Sequence, residues 1–114
     1  MEEIPFQVDV TRTGHGLMVS ISGDLDFANA SRFDAALQEA LTDKRVRLTL
    51  DFHRVKFLDS EGIKVLVRAY RRVAETRGEI AIVGCSQTAA KLFDVLGLTS
   101  VLGVQPPARD PRSR

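Results

Sequence analysis

The sequence predicts a single-domain α/β fold with a mixed, mostly parallel sheet that opens with an antiparallel hairpin and is covered by helices. Short segments alternate apolar and polar residues, as half-buried strands do, and longer segments carry an apolar residue at every third or fourth position. The first two strand segments follow each other directly, whereas a helical segment precedes each later strand. The predicted order is therefore β-β-α-β-α-β-α-β.

The opening hairpin is predicted from two alternating segments joined by a glycine-containing turn at residues 13–16. Their apolar positions are Ile4, Phe6, Val8 and Val10 in the first strand and Leu17, Val19 and Ile21 in the second. The segment Gly23-Asp24-Leu25-Asp26 is expected to end the second strand. This pattern indicates a hairpin with one face towards the core.

The first helix and the third strand follow. Asn29 is a candidate helix cap, and the strand is expected from Val46 to Phe52. The apolar helix positions are Ala30, Phe33, Leu37, Ala40 and Leu41.

A long helix is expected from Ser60 to about Arg77, with Gly78 ending it in a left-handed conformation. A short fourth strand at residues 80–83 precedes a third helix, for which Ser86 is the predicted cap and Gly97 the predicted end. Its buried face is expected to carry Ala89, Leu92, Phe93 and Leu96, and a last short strand is expected at Val101, Leu102 and Val104.

Composition indicates an ordinary globular protein of 114 residues whose formal charge of +1 favours neither nucleic acid nor an anionic membrane. We expect one domain at residues 1–104 and a mobile, Pro/Arg-rich tail at 105–114. No apolar segment resembles a signal peptide or a membrane-spanning helix, which predicts a cytoplasmic protein without membrane contact. Cys85 is the only cysteine and is expected to be buried or half-buried.

The sequence offers little for catalysis, and neither an enzyme nor a cofactor is predicted. His15 and His53 have no cysteine or serine partner at a recognisable spacing, and we expect both at the surface. Zinc clusters, calcium loops and glycine-rich phosphate loops are missing from the sequence. Asp24 and Asp26 lie two positions apart near a strand end, and they are not expected to act as an acid pair.

Direct nucleic-acid binding is also not predicted. Lys64, Arg68, Arg71 and Arg72 form a basic row along the outer face of the long helix, but one tyrosine and no tryptophan leave little for base stacking. Such a row is usually the solvated side of an amphipathic helix. Orientation of a protein partner is the alternative role.

Asp59 and Ser60 lie where the third strand ends and the long helix begins. Carboxyl ends of parallel strands are where open α/β sheets usually place function. Either side chain can cap the helix, and a hydroxyl left exposed at a helix N-terminus is a suitable phosphate acceptor. These residues alone leave both interpretations open.

Three segments together resemble STAS domains, and most closely the bacterial anti-sigma-factor antagonists. They are Gly23-Asp24-Leu25-Asp26, Leu58-Asp59-Ser60-Glu61-Gly62-Ile63 and Leu92-Phe93-Asp94-Val95-Leu96-Gly97-Leu98. The resemblance spans about residues 4–104 and includes the order of the elements.

The resemblance implies a switch protein that regulates sigma-factor-dependent transcription. Its unphosphorylated form would bind an anti-sigma factor that is also a serine kinase, phosphorylation of Ser60 would separate the pair, and a phosphoserine phosphatase would restore binding. The partner-binding residues it implies are Asp26, Asp59, Ser60, Glu61 and Gly62. Glu61 departs from the family pattern, which often has a small hydroxyl residue there.

A second departure is the proline-containing end of the chain, where the family commonly has another helix. One sheet face would then be less covered, which leaves a homodimer open. Two other functions also remain open. One is a STAS scaffold or accessory subunit of a stress-signalling or transporter complex, and the other is a small-molecule or nucleotide sensor on the same fold.

Overall fold

The computed structural model describes residues 4–42 and 45–107, which form four strands and three helices. In chain order these elements are β1 (Gln7–Thr13), β2 (Gly16–Leu25), α1 (Ala30–Ala40), β3 (Arg47–Leu58), α2 (Ser60–Glu75), β4 (Glu79–Val83) and α3 (Gln87–Val95).

The strands form one sheet in the order β1-β2-β3-β4. β1 pairs with β2 in the antiparallel direction, and the β2–β3 and β3–β4 pairs are parallel. This arrangement confirms the predicted fold class. The last predicted strand is present as a single parallel bridge between Ile82 and Val104, where Ile82 N–H donates to the Gly103 carbonyl at 3.1 Å.

The core lies on one face of the sheet, beneath the helices. Alternate residues of β2 and β3 point into it, as the sequence pattern predicts, and the Phe52 and Phe93 rings pack with centroids 6.4 Å apart. The fully buried large side chains include Phe33, Phe52, Phe93, Ile21, Leu25, Leu37, Leu48, Leu50, Leu66, Ile82 and Leu102. The opposite face carries half-buried or exposed residues such as Asp9, Ser20 and Asp51. The homodimer left open by the sequence stays a prediction.

β3 extends beyond its predicted end, whereas β2 ends at Leu25, within the segment 23–26 expected to end it. The alternation in β3 stops at His53, yet β3 continues to Leu58 because it remains paired with β2, which itself continues to Leu25. Register shifts between Ser20 and Ser22 and between Gly23 and Asp24 accommodate this extension. β4 is shorter, and its pairing with β3 ends at Asp51 and Val83.

The end of α2 differs from the prediction in one respect. Arg77, with φ 61°, is the left-handed residue after the helix, and Gly78 is not. Gly78 is needed for another reason, because a Cβ there would overlap the Val46 carbonyl oxygen and approach Val73 Cγ1 at 3.0 Å. The two ends of α3 are as predicted: Ser86 Oγ accepts from Ala89 N–H, and Gly97 has φ 72°.

The isolated reactive side chains lie where the sequence predicts. Cys85 is 3% exposed, and burial raises the pKa of its thiol. His15 and His53 are exposed, and His53 Nδ1 lies 2.6 Å from Asp51 Oδ1. Met1, Glu2, Glu3 and most of the predicted tail, residues 108–114, lie outside the described residues.

Substitutions at residues 77 and 78 test this assignment. Gly78→Ala should lower the free energy of unfolding by about 1–3 kcal/mol, because the new methyl group has no space beside Val46. Arg77→Gly should raise it by up to about 1 kcal/mol, because it relieves a left-handed conformation. Urea denaturation measures both changes. Gly14→Ala is the control, since a Cβ there has no heavy atom within 4 Å. A Gly78→Ala variant as stable as this control would contradict the assignment.

Candidate functional site

Asp59 caps α2. Its Oδ1 accepts hydrogen bonds from Glu61 N–H at 2.9 Å and from Gly62 N–H at 3.1 Å. Ser60 is the first helical residue and is exposed, and no described residue hydrogen-bonds to its side-chain hydroxyl. The structure therefore decides between the two candidate caps: Asp59 stabilises the helix, and the Ser60 hydroxyl remains accessible.

Asp59 also joins the β2–α1 loop to the start of α2. Its Oδ2 accepts from Phe27 N–H at 2.9 Å, and its own N–H donates to the Leu25 carbonyl at 3.2 Å. Desolvation acts to raise the pKa of Asp59, but the hydrogen bonds from Gly62, Phe27 and Glu61 outweigh it and lower the pKa. The carboxylate is thus held in its charged form at the mouth of the helix.

Asp26 lies beside Asp59 because Leu25 and Leu58 are paired at the carboxyl ends of neighbouring parallel strands. Its Oδ1 accepts from Asn29 N–H at 3.2 Å, which organises the loop before α1. Asn29 occupies the predicted cap position, but its side chain donates to the Asp24 carbonyl at 2.9 Å instead of capping the helix. Asp26 and Asp59 thus directly follow two paired strand residues, and their role in partner binding stays a prediction.

Glu61 is paired within its own helix. Its Oε2 accepts from Lys64 Nζ at 2.9 Å, which offsets part of the charge that this residue brings next to Ser60. Both side chains are substantially exposed, so this pair contributes little to stability.

Gly62 is buried rather than presented to solvent. A Cβ at this position would overlap the Leu25 carbonyl oxygen and lie 3.0 Å from Leu58 Cδ1. Gly62 therefore acts by allowing the first turn of α2 to pack closely on the ends of β2 and β3.

Two exposed aromatic side chains near the site were not predicted as site residues. Phe27 is 79% exposed, and its backbone is bound to Asp59. Phe57 is 55% exposed and is paired with Asp24 across the sheet. A phenylalanine directly after Asp26, outside any apolar periodicity, is the sequence signal that could have identified Phe27. Exposed aromatic residues of this kind are typical anchors of protein interfaces.

Two arginines of the basic row on α2 contact residues in α1 or at its end. Arg72 is half-buried and donates to the Gln38 side chain and to the Leu41 carbonyl, which ties α2 to the end of α1. Arg68 Nε lies 3.7 Å from Asp34 Oδ1. The prediction of a solvated row is therefore wrong for Arg72.

Over residues 4–42 and 45–107, no group of three or more His, Cys, Asp or Glu side chains is placed to hold a metal ion. The same part of the chain contains no helix with the length and apolar character needed to span a membrane.

The family model described as "Mlab, STAS domain" matches residues 8–104. The chain belongs to the STAS domain family. The match includes the Asp59-Ser60 junction and the β2–α1 loop, and it confirms the resemblance identified from the sequence.

Named relatives of this STAS domain are anti-sigma factor antagonists. RsfB of Mycobacterium tuberculosis, an anti-sigma-F factor antagonist, is 29% identical over 87% of this chain and 93% of its own. A crystal structure of an anti-sigma factor antagonist from Mycobacterium paratuberculosis has a TM-score of 0.79 at 24% identity, covering 90% of this chain and 86% of its own. The Bacillus cell fate determinant SpoIIAA in its phosphorylated form has a TM-score of 0.68 at 22% identity, covering 90% and 92%.

The charge of Asp59 gives a pH-dependent prediction. Because the pKa of Asp59 is below its ordinary 3.8 in the folded state, its contribution to stability is present above that value and is lost as pH falls through the folded pKa. Asp59→Asn should therefore melt below wild type at neutral pH, and the difference should close under acid. Melting curves from about pH 7 to about pH 2 measure this effect. Glu39→Gln, which removes an exposed charge from α1, is the control. A gap that stays constant to the lowest pH would contradict the assigned role of Asp59.

Proposed function

We propose that this protein is an anti-sigma factor antagonist whose Ser60 accepts a regulatory phosphate. In the unphosphorylated state it binds an anti-sigma factor with serine-kinase activity through Asp26, Asp59, Ser60 and Glu61. Gly62 contributes to the same site because it lets the first turn of α2 pack closely on the ends of β2 and β3. Phosphorylation releases the partner, and a phosphoserine phosphatase restores binding. The protein itself is a cytoplasmic binding protein and not an enzyme.

The observation that carries this proposal is the division of roles between Asp59 and Ser60. Asp59 takes the N–H groups of Glu61 and Gly62, so the exposed Ser60 hydroxyl is not needed to stabilise the helix. A kinase can then use this hydroxyl without unfolding the first turn of α2. The family relationship and the names of the relatives support the same role.

Phosphorylation would act mainly on the partner. A phosphate adds about −1.5 to −2 charges at neutral pH, and a helix N-terminus tolerates this charge. Lys64, four residues after Ser60, lies on the same helix face and is available to share its charge between Glu61 and the phosphate. An interface over Ser60, however, would have to desolvate the new charge beside Asp59 and Asp26. A loss of about 3 kcal/mol would weaken binding more than a hundredfold.

Substitution of Ser60 tests the switch. Ser60→Ala should keep the affinity for the anti-sigma kinase but accept no phosphate, and Ser60→Asp should bind at least about tenfold more weakly because it adds a charge to the interface. Titration calorimetry measures affinity, and intact-mass spectrometry with fragment mapping measures phosphorylation after incubation with ATP and candidate kinases. Ser31→Ala, an exposed serine on α1, is the matched control and should behave as wild type.

The outcomes separate this function from its main alternative. Equal affinities of wild type, Ser60→Ala and Ser60→Asp would remove Ser60 from the interface. A kinase that binds without adding phosphate would favour a STAS scaffold or accessory subunit. Backbone amide shifts far from Ser60 in the phosphorylated protein would contradict the local mechanism.

Phe27 should be an anchor of the same interface. Its ring is largely exposed, while its N–H is fixed to Asp59, so the side chain is presented from an ordered loop. Phe27→Ala should reduce partner affinity by at least about tenfold without lowering the melting temperature. Val10→Ala, which shortens an exposed apolar side chain on β1, should leave affinity unchanged. Unchanged affinity of Phe27→Ala would exclude Phe27 as an anchor.

A further inference from the structure

The second half of β3 has an unpaired edge. β3 continues to Leu58 alongside β2, but its pairing with β4 ends at Asp51. Within the described part of the chain, the backbone of residues 54–58 makes no hydrogen bond on the side away from β2. Such an edge presents free N–H and C=O groups, which are a template for an added strand.

This edge faces α3 across an apolar groove. The strand side is formed by Val55, Phe57 and Leu58, and the helix side by Thr88, Ala89 and Leu92. The apolar surface of α3 continues to Val95, which is 75% exposed, and to Leu96, which is 49% exposed. The groove can therefore receive apolar side chains from a segment that pairs with β3.

Lys56 is the charged side chain among the residues that line the groove. It forms no ion pair with any residue that the structure describes. A complementary segment would carry an acidic residue opposite Lys56.

We propose that residues 54–58 of β3 accept an extended segment of a partner protein as an added strand, with its apolar side chains in the groove against α3. Free backbone groups favour an extended segment over a helix, because only an extended segment can satisfy them. The contact spans about five residues, or roughly 16 Å. This contact does not depend on phosphorylation of Ser60 and would be a second binding surface of the same protein.

Selection from a phage-displayed library of random octapeptides on the full-length protein tests the proposal. Thr88→Arg fills the groove from an exposed helix position, so selected peptides should bind this variant at least about tenfold more weakly than wild type. In the wild-type complex, alternate backbone amides within residues 54–58 should exchange at least about tenfold more slowly. Gln87→Arg adds the same charge at the neighbouring exposed position outside the groove lining and should bind the peptides as wild type does.

Three results would overturn the proposal. The first is a selection in which no peptide prefers wild type over Thr88→Arg. The second is equal binding of a selected peptide and its backbone N-methylated form, which cannot pair as a strand. The third is protection of these amides without peptide in a dimer that Thr88→Arg dissociates, which would make a second copy the occupant. Ser60→Ala should bind the peptides as wild type does, so failure of the phosphorylation switch would leave this result intact.

Discussion

The carboxylate of Asp59 is the interaction on which the site depends. One side chain accepts three backbone N–H groups, two from the first turn of α2 and one from Phe27 in the β2–α1 loop. It therefore positions a helix, a loop and the end of a strand together. Its negative charge also complements the helix N-terminus. With these N–H groups satisfied by Asp59, the neighbouring Ser60 hydroxyl is left exposed.

The unequal lengths of the parallel strands give the site its shape. β3 extends past β4 while still paired with β2, so the Asp59-Ser60 junction stands beyond the end of β4. The same extension leaves one edge of β3 unpaired and opens the groove towards α3. The accessible serine and the proposed strand-binding groove thus have one structural origin.

The local charges determine what a phosphate at Ser60 would change. Asp26 and Asp59 are committed to backbone N–H groups, and Glu61 is paired with Lys64. The unmodified site is therefore acidic but internally compensated. An added phosphate would find the Glu61 and Gly62 N–H groups already bound by Asp59, and it would share the Lys64 ammonium with Glu61.

The sequence by itself determined the features that depend on a few neighbouring residues. Alternation predicted β1, β2 and the first half of β3, and capping chemistry predicted both ends of α3. Both signals depend only on residues a few positions apart in the chain. The resemblance of the Asp59-Ser60 segment to one family added the family assignment. Together these local signals determined the fold class and located the candidate site.

Tertiary structure decided what depends on distant partners. Pairing with β2 extended β3 past the point where its alternation ends, and the Val46 carbonyl made Gly78 necessary although Arg77 is the left-handed residue. The Phe27 N–H, 32 positions from Asp59 in the chain, completed the set of bonds that joins the loop to the helix. Each of these outcomes depends on a backbone group that is distant in the chain and is brought close by the fold. The local pattern of apolar and polar residues carries no information about such a group.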